Sequence, residues 1–168
     1  MSWEEKVLSD ISEIGDGAHA SLKRVPQGIP YLTAKNITKD GIDDNAIDYI
    51  SEETYNKHFK AKSGALTKPE KNDILYSIIG SIGGVYVVQD EKIGISSSVA
   101  IFRPQKNIID PLYLAYYMKS KIFDSQIQAI RGGVAQSFMS LSKLGSVKIK
   151  YPSDLKVQRK IISIISLI

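Results

Sequence analysis

The sequence predicts an α/β domain, with a twisted mixed or antiparallel sheet and flanking helices. Three observations lead there. Short runs rich in Ile, Val and Tyr, joined by Gly-containing turns, crowd the first two thirds of the chain. After Pro104 the texture changes, and apolar residues recur at helical spacing. The 168 residues are 43% hydrophobic and 24% charged, enough for one domain with a real core.

The elements follow in order. The stretch "DGAHASLKRVPQGIPYLTAKNI" (16–37) is too polar for core and too punctuated for a helix, so it reads as a loop. Within it "GIPYLTA" (28–34) is a strand after a turn. "KDGIDDNAIDYI" (39–50) opens on an Asp-Gly turn and then alternates. "SEETYNKHF" (51–59) is a helix with Ser51 as N-cap and two acids in its first turn. "NDILYSIIG" (72–80), "GGVYVVQ" (83–89) and "SSSVAIFRP" (96–104) are strands. "GSIGG" (80–84) is the tight turn between the first two. "DPLYLAYYMKSKIFDSQIQAI" (110–130) reads as one helix, capped by Asp110 and entered through Pro111. Leu112, Ala115, Met118, Ile122, Phe123 and Ile127 form its apolar face. "RGGVAQS" (131–137) breaks it. "VKIKY" (147–151) is a short strand ended by Pro152. Ser153 or Asp154 caps a last helix, "LKVQRKIISIISLI".

Composition narrows the function. With no Cys there are no disulfides, no thiolate nucleophile and no Cys-based zinc site. The acidic start "MSWEEKVLSD" is not a signal peptide. No apolar run approaches the roughly 20 residues that span a bilayer. A cytoplasmic protein without a membrane partner is expected. Net charge is +4, unevenly spread. Residues 1–102 hold 11 Lys/Arg against 15 Asp/Glu, a net of −4, and residues 103–168 hold 11 against 3, a net of +8. The basic part suggests a polyanion partner.

Catalytic motifs are missing. His19 and His58 are too far apart for a helical metal-binding pair. "GSIGG" fits neither phosphate-loop spacing. Asp40, Asp43, Asp44 and Asp48 lack the spacing and terminal Glu of a calcium loop. Binding is therefore the stronger reading, with no catalytic residue and no metal ligand.

Equipment for DNA is present. Gly- and Ser-rich turns bring backbone N–H groups to phosphates, while Arg, Lys, Asn, Gln and Ser reach phosphates or base edges. The first loop offers His19, Ser21, Lys23, Arg24, Lys35 and Asn36. The turn 77–84 offers Ser77 and Ser81. "RGGVAQS" offers Arg131, Gln136 and Ser137. The amides of Gln136 and Asn36 suit adenine, and Arg24 suits guanine.

An ordered set of segments carries a resemblance. "DGAHASLKRVPQGIPYLTAKNITKDGIDDNAIDYISEETYNKHF", "KNDILYSIIGSIGGVYVV" and "SSSVAIFRP" resemble the target-recognition domain of type I restriction–modification specificity subunits. "YLAYYMKS", "RGGVAQSFMSLSKLGSVKIKYPS" and "QRKI" are similar to its closing section. The resemblance covers nearly the whole chain. It implies a target-recognition domain over 1–152 and the beginning of a long spacer helix over 153–168. It implies a non-catalytic subunit that reads one half of a split target in double-stranded DNA. The implied partners are methyltransferase subunits and a restriction subunit, and S-adenosylmethionine, ATP and magnesium belong to those partners. Family members typically carry two recognition domains, and this chain has one. It is either a half-length subunit that dimerises or a fragment.

The last helix bears on that choice. Leu155, Ile161, Ile162, Ile165 and Ile168, with Ile164 and Leu167, leave more apolar surface than one stripe buries. A helix of about 14 residues is marginal alone in water. It therefore packs on its own domain or on a second chain. The alternative function is a protein-interaction module, or an orphan remnant, that binds a methyltransferase without reading DNA.

Overall fold

The computed structural model describes residues 2–61, 65–131 and 138–167. The chain starts with β1 (Trp3–Val7), a single turn α1 (Leu8–Ile11) and β2 (Ser12–Asp16). A loop leads to β3 (Ile29–Leu32), the short hairpin β4 (Ile37–Thr38) and β5 (Gly41–Ile42), and β6 (Asp48–Ile50). Helix α2 (Glu52–His58) is capped as expected, the Ser51 hydroxyl accepting from the Thr54 N–H. Then come β7 (Ile74–Ser77), β8 (Val85–Val87), β9 (Gly94–Ile95) and β10 (Val99–Pro104). The closing part is α3 (Pro111–Met118), α4 (Lys121–Arg131), α5 (Leu141–Gly145), β11 (Lys148–Pro152) and α6 (Leu155–Ile165).

An antiparallel sheet in the order β2-β10-β7-β8 forms the middle of the domain. Its strands alternate, so it feeds two cores. Ile74, Tyr76, Ala100 and Phe102 face the helices, where they meet Leu114, Met118, Phe123 and Ile127. Leu75, Val99 and Ile101 face the other way, onto Tyr31, Ile50, Tyr55 and Phe59. That second core is closed by α2 and a mixed sheet, β6-β3-β9, in which β3 and β9 run parallel.

Two expectations change. The stretch 110–130 is not one helix. It breaks after Met118, where the Lys119 N–H reaches back to Ala115 and Tyr116, and the Ser120 hydroxyl accepts from the Phe123 N–H at 3.3 Å. The break lets Ala115 and Met118 on one side, and Phe123 and Ile127 on the other, reach the same core. Leu112 and Ile122, expected on the apolar face, are 46% and 63% exposed.

The start of the chain is also a strand. β1 pairs antiparallel with β11, from Trp3 opposite Pro152 to Val7 opposite Lys148. Four of its five residues are exposed, so no alternation marks it in the sequence. Strand pairing, here and between β10 and β7, folds acidic and basic parts of the chain together. Lys148 lies 3.7 Å from Glu5, and Arg103 meets Asp73 and Glu70. The charge imbalance along the chain is thus partly cancelled in space.

Helix α6 starts at Asp154, whose carboxylate accepts from the Lys156 N–H. It is anchored by Gln158, which is fully buried. The Gln158 side chain accepts from the Asp110 N–H at 2.8 Å and donates to the carbonyls of Ile108 and Pro152 at 3.0 and 2.8 Å. Ile162 is buried beside it, and Ile161 is partly buried against the same core. Ile164, Ile165 and Leu167 are 55%, 41% and 86% exposed.

Candidate nucleic-acid interface

The loop before β3 and the start of α2 share one side of the domain. Ser21 and Lys23 line a shallow cleft with Ser51, Lys57 and His58. Helix α2 presents its basic last turn, Lys57 and His58, to this cleft. Lys57 and His58 were not among the residues expected to bind DNA. Their signal was a helix ending in two basic groups, which a sequence reading assigns to the helix dipole.

His19 is exposed and its Nε2 lies 3.0 Å from the Asp16 carboxylate, which orients the ring. Arg24 is more committed. Its guanidinium stacks 4.2 Å over the Tyr31 ring, its Nε donates to Asp48 at 3.1 Å, and NH1 donates to the Leu22 carbonyl. Those bonds hold the loop onto the sheet and use Nε and one N–H of the guanidinium's outer fork. Burial holds the Tyr31 hydroxyl above its ordinary range, against the lowering effect of Arg24.

Two expected residues turn inward. Asn36 is 1% exposed. Its side-chain oxygen accepts from the Thr33 N–H at 2.9 Å and hydroxyl at 3.1 Å, and its amide nitrogen donates to the Ala46 carbonyl. It closes the single turn Ala34–Asn36 and has no edge left for a base, whereas Lys35 beside it is exposed. Ser77 is fully buried. Its hydroxyl donates to the Ser81 carbonyl at 2.8 Å and accepts from the Gly84 N–H at 2.7 Å. Ser77 is the peg of the turn, and it leaves Ser81 exposed at the tip. That turn needs Gly80 and Gly83, whose φ angles are +70° and +112°. Gly84 permits close passage of β4, since a Cβ there would collide with the Ile37 carbonyl oxygen.

Arg131 ends α4, half-buried. Gln136, Ser137 and Ile168 lie outside the described residues. The expected DNA-facing set therefore divides. His19, Ser21, Lys23, Lys35 and Ser81 are exposed, and Asn36, Ser77 and Arg24 are engaged in the fold. No group of three or more His, Asp or Glu among the described residues is placed to hold a metal ion. No helix among them is long and apolar enough to cross a membrane.

The model of the type I restriction modification DNA specificity domain matches residues 1–168. The chain belongs to that family. It is 25% identical over 156 residues to the type I restriction enzyme EcoBI specificity subunit of Escherichia coli, covering 90% of this chain and 32% of that one. It is 30% identical over 173 residues to the putative type I restriction enzyme MjaX specificity subunit of Methanocaldococcus jannaschii, covering 98% and 39%. The specificity-domain chain thus spans about a third of the length of the curated relatives it matches.

Solved structures agree on the fold. The HsdS subunit from Thermoanaerobacter tengcongensis superposes with a TM-score of 0.67 at 19% identity, over 98% of this chain and 37% of that one. The type I S subunit from M. genitalium gives 0.66 at 17%, over 99% and 38%. The mixed α/β architecture described above is the fold of a specificity domain.

Proposed function

We propose that this chain reads sequence in double-stranded DNA, as one recognition half of a type I specificity subunit, and carries no catalysis of its own. The match of the DNA specificity domain across residues 1–168 carries the reading. Exposed Lys23, Lys35 and Lys57, with Ser21, Ser81 and His58, support it as phosphate- and base-reaching groups on loops and element ends. Recognition directs methyltransferase and restriction subunits to the target in the cytoplasm. S-adenosylmethionine, ATP and magnesium belong to those subunits.

The exposed Ile164, Ile165 and Leu167 support association through α6, with a second specificity domain as the partner. An isologous pair would set two recognition domains at a fixed separation, as a split target requires. Selection from a random duplex library, with and without the methyltransferase subunits, tests the DNA reading. Enrichment of a single short half-site is expected. Recovery of unbiased sequences at every round would refute it in favour of an interaction module that does not read DNA.

A further inference from the structure

Tyr76, on β7, is 2% exposed, and its ring is wedged edge-on against Phe102 and Phe123 at 6.2 and 5.9 Å between centroids. Its hydroxyl makes no hydrogen bond to a described residue, and it is not sealed in, since it faces a pocket beside Gly83. The ring lines a small pocket of about 180 Å³ beside Gly83, where a Cβ would come within 3.7 Å of the hydroxyl oxygen. Around the same pocket stand Lys39, from the tip of the β4–β5 hairpin, and Lys119 and Lys121, from the break between α3 and α4. All three are exposed, and none has a carboxylate within ion-pair distance among the described residues. Among the described residues Asp124 is the single acid lining the pocket, so the described rim carries a net charge of +2 from three lysines and one carboxylate.

This chemistry selects an anionic oxygen. Burial first, and then Asp124, push the Tyr76 hydroxyl well above its ordinary range, while Arg131 opposes them. The group therefore stays protonated and can only be improved by an acceptor. Three ammonium groups supply the charge complement and tolerate an acceptor of any orientation. We propose that the Tyr76 hydroxyl, with Lys39, Lys119 and Lys121, forms a seat for a phosphodiester oxygen of the DNA backbone. The proposal rests on the DNA-reading function and adds a contact that positions the duplex without reading its sequence. It recruits three parts that lie far apart in the chain, the hairpin 37–42, the turn 80–84 and the helix break 119–121, to one phosphate.

Two variants test the seat with the full chain. Tyr76→Phe removes only the hydroxyl and keeps the packed ring. Lys39→Gln/Lys119→Gln/Lys121→Gln removes surface charge. Duplex affinity is measured against salt, on the selected half-site and on random sequence. Tyr76→Phe is expected to weaken both duplexes alike, by about tenfold, as removal of a charge-assisted hydrogen bond does. The triple variant is expected to flatten the slope of log K against log salt by about 0.9, the share of one phosphate. In parallel, inorganic phosphate is titrated while the amide signals of Gly83 and Ser120 are followed by NMR. A saturable shift is expected in the native chain and not in the triple variant. Wild-type duplex binding by both variants would overturn the seat while leaving the DNA-reading function standing. Absence of duplex binding by the native chain would instead overturn that function, and the phosphate titration alone would then decide whether the pocket is an anion seat.

Discussion

Arg103 grips the Asp73 carboxylate with two parallel bonds, Nε to Oδ1 at 2.9 Å and NH2 to Oδ2 at 2.7 Å. Asp73 is 2% exposed, and its carboxylate also accepts from the Glu70 N–H. The same guanidinium donates to the Lys68 carbonyl, so one side chain of β10 ties down the segment leading into β7. Hydrogen bonding to Asp73 leads the forces that hold the guanidinium charged. Arg103→Ala leaves the carboxylate buried and unpaired. It is expected to destabilise the domain by about 3 kcal/mol, read as a drop in the urea midpoint with an unchanged slope.

Ser77 separates a structural from a reading role. Ser77→Ala orphans the buried Gly84 N–H and is expected to cost about 1–3 kcal/mol of stability. At temperatures where the variant stays folded, its preference between duplex sequences should match the native chain. A changed preference would return Ser77 to the reading surface.

The cleft between the first loop and α2 predicts a different pattern. Lys23→Ala/Lys57→Ala should weaken every duplex together and reduce the salt slope by about 0.9 for each phosphate that is no longer neutralised. Filter binding at three salt concentrations is sufficient. An unchanged slope would mean that this cleft does not face DNA.

Association through α6 is best probed at residues that face outward. Ile161 and Ile162 pack on the domain itself, so changing them would confuse folding with association. Ile165→Glu/Leu167→Glu leaves Gln158 and Ile162 in place. Analytical ultracentrifugation should show concentration-dependent dimers for the native chain and monomers for the variant. A native chain that is monomeric at every concentration would remove the dimer for this stretch of sequence.

Alkaline pH probes the helical core. Tyr113 donates its hydroxyl to the Lys150 carbonyl, and burial pushes its pKa from 10.0 up to about 12. A tyrosine raised in the folded state contributes stability that is complete below the unfolded value and is lost as pH rises towards the folded value. Stability is therefore expected to fall between about pH 10 and pH 12, and to fall less in Tyr113→Phe. Thermal melts across that window give the comparison.

Much of the fold was legible in the chain itself. Ser51, Asp110 and Asp154 cap helices where their spacing says they should, because a cap is satisfied within three residues. The Ile- and Val-rich runs became β7, β8 and β10, because burial on both faces of a central sheet demands apolar residues throughout. The ordered segments of the recognition domain pointed to the family for the same reason: they encode local structure.

The site was less legible, since a polar residue's role depends on partners that sequence distance conceals. Lys35 and Asn36 are neighbours, yet one is exposed and the other is sealed beneath the Thr33 turn. Arg24 looked free until Asp48, 24 residues on, came within 3.1 Å. Tyr151 bonds Glu4 across 147 residues, in a pairing of β1 with β11 that no alternation announces. Local sequence determined the Ile- and Val-rich central strands, the caps and the family. Which polar groups remained for a partner was decided by tertiary structure, because burial and long-range hydrogen bonds consume some of them and leave others, such as the Tyr76 hydroxyl, facing a pocket.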